Sequence, residues 1–124
     1  MPYVNISLST GFPVETRKQL MQAASDAVVE SIGAPLSSVR VMLSELDADS
    51  YLNAGQFGDK ALMFQVELIE GRTNELKEAL IARLSRVGAD VTGIDFDQVR
   101  VRLVDFPKVN MGMAGGKSAL AMGR

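Results

Sequence analysis

The sequence predicts an α/β fold (α+β under some schemes). Two tandem β-α-β repeats share one four-stranded sheet, with both helices on one face. Three observations lead there. A shift of sixty positions lays the chain over itself without a gap, each half repeats the order strand, helix, strand, and glycines recur at the same turns. In that register Leu8 falls on Leu68, Gly11 on Gly71, Glu15 on Glu75, Leu20 on Leu80, Ser25 on Ser85 and Gly33 on Gly93. Val39-Arg40-Val41-Met42-Leu43 overlies Val99-Arg100-Val101-Arg102-Leu103, and Ala54-Gly55 overlies Ala114-Gly115. A self-match at one fixed offset marks a duplicated unit. The chain of 124 residues is read as a single domain, 1–124, built from repeats at about 2–60 and 62–120.

Each element has a local cause. "YVNISLS" (Tyr3 to Ser9) alternates apolar and polar residues, the period of a half-buried strand. Pro13 sits where a first helical turn tolerates it. Leu20, Met21, Ala24, Val28 and Ile32 then follow at helical spacing, and Gly33 supplies the stop. Pro35 breaks the chain before a second strand, "SVRVMLSEL" (Ser38 to Leu46). The second half gives a strand at Leu62–Ile69, a helix at about 74–87 with Leu76, Leu80, Leu84 and Val87 on one face, and a strand from Gln98 to Phe106. A strand–helix–strand unit of this length crosses over right-handed, so its two strands run parallel. The stretches from Asp47 to Asp59 and from Pro107 to Ala119 read as glycine-bearing loops or short hairpins.

One layer of helices leaves the other sheet face bare unless a partner covers it. The near-apolar "LMFQVELI" (Leu62 to Ile69) argues for burial on both faces. A homo-oligomer is therefore expected, with the bare faces packed together.

Composition excludes several function classes. A net charge of −2 gives no basic face for nucleic acid. No apolar run reaches the roughly 18 residues of a membrane span, and no secretion leader is visible. With no histidine and no cysteine, the chain cannot form a Ser-His-Asp or Cys-His pair, or a thiolate or imidazole metal site. The lack of cysteine suits a reducing cytoplasm. Acid–base chemistry is left to carboxylates, lysine, tyrosine or a terminal amine.

The chain opens Met1-Pro2, and two readings of Pro2 compete. Proline suits the entry to an edge strand, where no ladder N–H is needed. Removal of Met1 would instead expose a prolyl amine. The repeat favours the second reading. Leu62 holds the equivalent place in the other half, so the strand does not require proline there.

The Met-Pro start, the repeat unit of about sixty residues, "GAPLSSVRV" (Gly33 to Val41) after the first helix and the glycine-rich hairpin beyond it together resemble the tautomerase superfamily. "VELIEGRTNELKEALI" (Val66 to Ile81) is similar to that family's first strand, turn and helix start. The chain looks like a fused 4-oxalocrotonate tautomerase, with two of the family's short subunits in one polypeptide. The resemblance implies a cofactor-independent, metal-free isomerase that moves a proton in an unsaturated 2-hydroxy or 2-oxo acid, and it implies a trimer. It assigns the general base to Pro2. Burial and nearby arginines would lower that amine's pKa toward neutrality, where a base works best.

The resemblance also assigns substrate-binding arginines, since guanidinium stays charged and offers paired donors to a carboxylate. The position before the first helix is Arg72 in the second half and Phe12 in the first. This asymmetry fits a site that has its amine in one half and borrows its arginine from the other. The family's strand arginine aligns with both Arg40 and Arg100, and alternation does not choose between them. The pocket-wall aromatic aligns with Tyr51 and with Met111. If the wall is borrowed like Arg72 it is Met111, and the aromatic is lost.

Plainer roles stand beside these. Arg72 suits a solvated helix start, Arg40 and Arg100 suit interface ion pairs, and Tyr51 suits packing. "MGMAGGK" (Met111 to Lys117) lacks the spacing and context of a phosphate loop. "DADS" and "DFD" lack the other ligands of a calcium loop. Two rival functions remain: a dehalogenase or decarboxylase of a small acid on the same fold, or a non-catalytic oligomeric domain.

Overall fold

Strand β1 (Tyr3–Ser9), helix α1 (Val14–Ile32) and strand β2 (Arg40–Leu46) form the first unit in the computed structural model, which describes residues 1–124. Strand β3 (Leu62–Ile69), helix α2 (Asn74–Thr92) and strand β4 (Val99–Phe106) form the second. Within each unit the strands are parallel, and β1 pairs antiparallel with β3, giving the order β2-β1-β3-β4. The expected four-stranded sheet is present.

The register explains how the halves are related. Asn5 lies opposite Gln65, its own counterpart at an offset of sixty. An approximate two-fold axis therefore passes through this pair, and any feature at one end of the sheet has its repeat mate at the other. Side-chain contacts repeat as well. Arg17 pairs with Glu45 at 3.1 Å, and Lys77 with Asp105 at the matching positions of the second half. No helix is long and apolar enough to cross a membrane.

Both helices bury one stripe against one sheet face. Val4, Ile6 and Leu8 of β1 and Leu62, Phe64, Val66 and Leu68 of β3 meet Leu20, Ala24 and Val28 of α1 and Leu80 and Leu84 of α2 in one core. Three local expectations shift. Helix α2 continues past Val87 to Thr92 and stops at Gly93, whose N–H donates to Ala89. Leu76 is 37% exposed, because it falls on the first turn of α2, outside the packed stripe. Residues Leu36–Ser38 form a 3-10 turn, so β2 begins at Arg40.

The helix passes through Gly88 because the sheet is too close there for a side chain. A Cβ on Gly88 would lie 2.9 Å from Leu62 Cδ2 and 2.9 Å from Phe64 Cε2. Both neighbours are fully buried. Gly88→Ala is expected to cost about 1–3 kcal/mol by overpacking, despite alanine's better helix propensity. Urea denaturation measures this, and an unchanged midpoint would refute the close approach.

The other sheet face carries no helix. Tyr3, Asn5 and Ser7, with Met63, Gln65 and Glu67, are only partly covered, and Arg40, Met42, Arg100 and Arg102 flank them. Asn5 donates to Glu67 at 3.1 Å and Arg102 to Gln65 at 3.0 Å. In a single chain, the burial expected on both faces of β3 is present on the helix side only.

Candidate active site

At the start of β1 the two-fold arrangement brings three chain segments together. The head of β1 lies beside the head of β2, because Tyr3 pairs with Arg40. It also lies beside the tail of β3, because Tyr3 pairs with Glu67. The loop that follows β4 closes over the same end. Pro2 is fully buried there, and its carbonyl accepts from the Arg40 backbone N–H at 3.1 Å. Met1 is nearly buried above it.

Two adjoining cavities open at Met1. One, of about 580 Å³, is lined by Tyr3, Ser37, Ser38, Arg40, Met113 and Arg124, among others. The other, of about 450 Å³, is lined by Ser38, Glu70, Arg72, Lys108, Met113 and Arg124, among others. Met1, Ser38, Met113 and Arg124 form their common wall. Arg40 thus stands on one side of the terminus and Arg72 on the other.

Each arginine is held by backbone. Arg40 Nη1 donates to the carbonyls of Ser37 at 2.9 Å and Val39 at 3.1 Å, taking up acceptors that the 3-10 turn leaves free. Arg72 Nη1 donates to Ile69 O at 3.0 Å, at the end of β3. Both guanidiniums keep other donors unused, which suits capture of an anion. The electrostatics follow. The Met1 α-amine is held below its ordinary 8.0, first by burial and then by Arg72, Arg40 and Arg124. A cluster of cations in a chain of net charge −2 gives this end of the sheet a locally positive potential.

The structure therefore brings together Pro2, Arg40 and Arg72 of the residues singled out from sequence. Arg72 comes from the second half, as the asymmetry with Phe12 suggested. Arg100 lies at the opposite end, its Nη1 donating to the Asp97 and Val99 carbonyls. There it borders a concavity of about 460 Å³ on the bare sheet face, with Asn5, Ser7, Met63, Gln65 and Arg102. Tyr51 belongs to the loop that joins the end of β2 to the start of β3, also at the far end of the chain's sheet. Met111 lies in the loop over the Pro2 end, and its carbonyl accepts from Ala119 at 2.8 Å, while Met113 reaches the cavity wall.

Sequence reasoning missed Arg124, Lys108, Glu70 and Ser38. One signal was available. Antiparallel pairing of the halves sends whatever follows β4 back to the head of β1, so residues after Phe106 fall at this end of the sheet.

A duplicated β-α-β sheet with a Met-Pro start among arginines defines a class, and the chain belongs to it. The family described as "Tautomerase enzyme" matches residues 2–60 and again 64–120. The protein is a tautomerase, an isomerase that acts by moving a proton. A 2-hydroxymuconate tautomerase of Pseudomonas putida is 42% identical over 60 residues, covering 48% of this chain and 94% of that one. The crystal structure of Pt0534 inactivated by 2-oxo-3-pentynoate superposes with a TM-score of 0.97 at 63% identity, covering 98% of this chain and 99% of that one. A symmetric trimer of a fused 4-OT superposes with a TM-score of 0.95 at 45% identity, with the same coverage.

Proposed function

We propose that the chain, once Met1 is removed, is a cofactor-independent tautomerase of an unsaturated 2-hydroxy acid such as 2-hydroxymuconate, with Pro2 as the base. The observation that carries this is the placing of Arg40 and Arg72 on the two sides of a buried amino terminus. The substrate class is taken from the Pseudomonas putida relative's activity.

In this reading the neutral prolyl amine takes the hydroxyl proton of the dienol. The resulting dienolate spreads its charge from oxygen along the carbon chain, and the same amine returns the proton to carbon. Atoms and charge balance, and no second reactant is needed. One arginine holds the carboxylate, and another donates to the oxygen where charge develops, which is where preorganised donors act most strongly. With Met1 in place, the Pro2 nitrogen is an amide and has no basicity, so activity requires processing.

Three measurements test this together. Intact mass of the expressed protein is expected to lack Met1, and that protein is expected to ketonise 2-hydroxymuconate. Incubation with 2-oxo-3-pentynoate, whose triple bond conjugated to a carbonyl accepts an amine, is expected to add one equivalent to the Pro2 peptide. Full retention of Met1 in an active sample would overturn the proline mechanism.

The bare sheet face supports a homo-oligomer, and the fused 4-OT trimer suggests the number of copies. Light scattering is expected to give the mass of three chains. The absence of cysteine suits a cytoplasmic setting. A second reading, dehalogenation of a small acid, is favoured by Glu70. It supplies the cavity with a carboxylate that could activate water. Halide release from 3-chloroacrylate separates the two readings.

A further inference from the structure

A chain end is ordinarily exposed and loosely held. Here Met1 is only 8% exposed, and Pro2 behind it is fully buried. The same enclosure lowers the pKa of the Met1 amine.

The topology causes this. β1 is an interior strand, with β2 on one side and β3 on the other. Tyr3 pairs with Arg40 and with Glu67, and the Pro2 carbonyl accepts from the Arg40 N–H at 3.1 Å. Val4, Ile6 and Leu8 of the same strand lie in the core. The amino terminus therefore cannot peel away as an edge strand would. Freeing its first residues means opening the sheet at its centre, a rearrangement close to unfolding the whole chain.

The order of synthesis sets when the terminus closes. β1 is made first, but β2 begins at Arg40 and β3 ends at Ile69. Met113 and Arg124, which share the cavity wall with Met1, are made later still. At about 5–20 residues per second, the terminus stays open for on the order of ten seconds before β3 is complete.

Met1 also divides the site. It stands in the wall common to the cavities of about 580 and 450 Å³, between the Arg40 side and the Arg72 side.

We propose that Met1 is a plug that folding locks in place: its bond to Pro2 is open to a methionine-specific aminopeptidase only until β2 and β3 enclose β1. Hydrolysis there breaks the C–N bond. Water's oxygen stays with the methionine carboxylate, and a proton from that water converts the Pro2 nitrogen to a secondary amine. Loss of Met1 then joins the two cavities into one chamber that reaches both arginines. A chain that folds first is trapped, without a base and with its chamber divided. The proposal rests on the tautomerase reading for what the chamber binds, but the lock does not depend on turnover.

The test starts from folded, full-length protein that retains Met1, made with the aminopeptidase inhibited during expression. Purified aminopeptidase is added, and loss of Met1 is followed by intact mass. A peptide of residues 1–10 gives the rate on an open substrate. The folded chain is expected to be trimmed about a hundredfold more slowly than the peptide, because cleavage follows the population of the opened form. Ile6→Ala, which empties a fully buried place in β1, is expected to be trimmed roughly tenfold faster than the wild type. If circular dichroism shows that variant unfolded, it becomes a full-length open chain and is expected to match the peptide. Calorimetry with muconate, a diene diacid with no hydroxyl proton to give, is expected to show binding to the processed protein and not to the Met1 form. Trimming of the folded wild type at the peptide's rate, or at the rate of Ile6→Ala, would overturn the lock. Equal muconate binding by both forms would overturn the plug. A Met1 form that resists trimming, beside a processed protein that leaves 2-hydroxymuconate unchanged, would sink the proposed reaction and keep the lock.

Discussion

Replacing Pro2 with alanine is expected to lower kcat for 2-hydroxymuconate by roughly 10²–10⁴, the range that a positioned general base supplies. The variant is a stringent one, because alanine also presents an amine once Met1 is removed. What it loses is the ring. Pro2 is fully buried, and its carbonyl is tied to the head of β2 through the Arg40 N–H. The pyrrolidine therefore has one orientation, whereas a primary amine on alanine can rotate away from the proton it must take. A secondary amine is also intrinsically the stronger base. The pH profile gives a second readout. Only the neutral amine accepts a proton, so kcat/KM falls as pH drops through its pKa. Burial and the three arginines disfavour the charged form of the Met1 amine; a prolyl amine exposed one residue on faces the same arginines, so the acid limb is expected below the pKa of a free prolyl amine. A Pro2→Ala protein with wild-type kcat and an unmoved acid limb would remove Pro2 from the mechanism.

Most of the scaffold was legible because the chain states its pattern twice. Period-2 alternation in Tyr3–Ser9 and the sixty-residue offset together imply the strands, the helices and the layer order. The offset was more reliable than local propensity. Gly33 on Gly93 already implied that α2 runs to the second glycine, yet Gly88 interrupts the apolar pattern and draws the helix end too early. Gly88 is there because Leu62 and Phe64 leave no space, which is a tertiary cause with no local signature. The site was less legible for a related reason. Alternation places Arg40 and Arg100 on equivalent faces; the parallel register of β1 with β2 brings Arg40 to Pro2, and the antiparallel pairing of β1 with β3 sends Arg100 to the opposite end. Arg124 depends on a turn at Gly123 beyond both repeats, so it has no repeat mate to draw attention to it.

Arg72→Ala is expected to lower kcat/KM by roughly 10²–10³, the cost of losing one preorganised donor to a developing oxyanion. It is also expected to move the acid limb to higher pH. The sign follows from charge: a guanidinium near an amine disfavours protonation, and Arg72 is the cation that lowers the Met1 amine most, second only to burial. Without it the amine holds its proton more tightly and becomes a competent base only at higher pH. Arg72→Lys separates the two contributions. It keeps a cation, so the limb is expected to stay near its wild-type position. It loses the planar fork, so KM is expected to rise while kcat falls. A solvated helix-start arginine would show neither effect, and an unchanged limb in Arg72→Ala would return it to that role. The mirror substitution makes the same point from the other end. At the Arg72-equivalent position, Phe12 lies under Lys60, whose ammonium is 5.4 Å from the ring centre. Phe12→Arg would restore the arginine there, but Leu62 has no free amine to serve. No second turnover site is expected, and labelling by 2-oxo-3-pentynoate should stay at one equivalent per chain. The duplication gave the fold two ends, and the physical requirement for a free amine confines the chemistry to one of them.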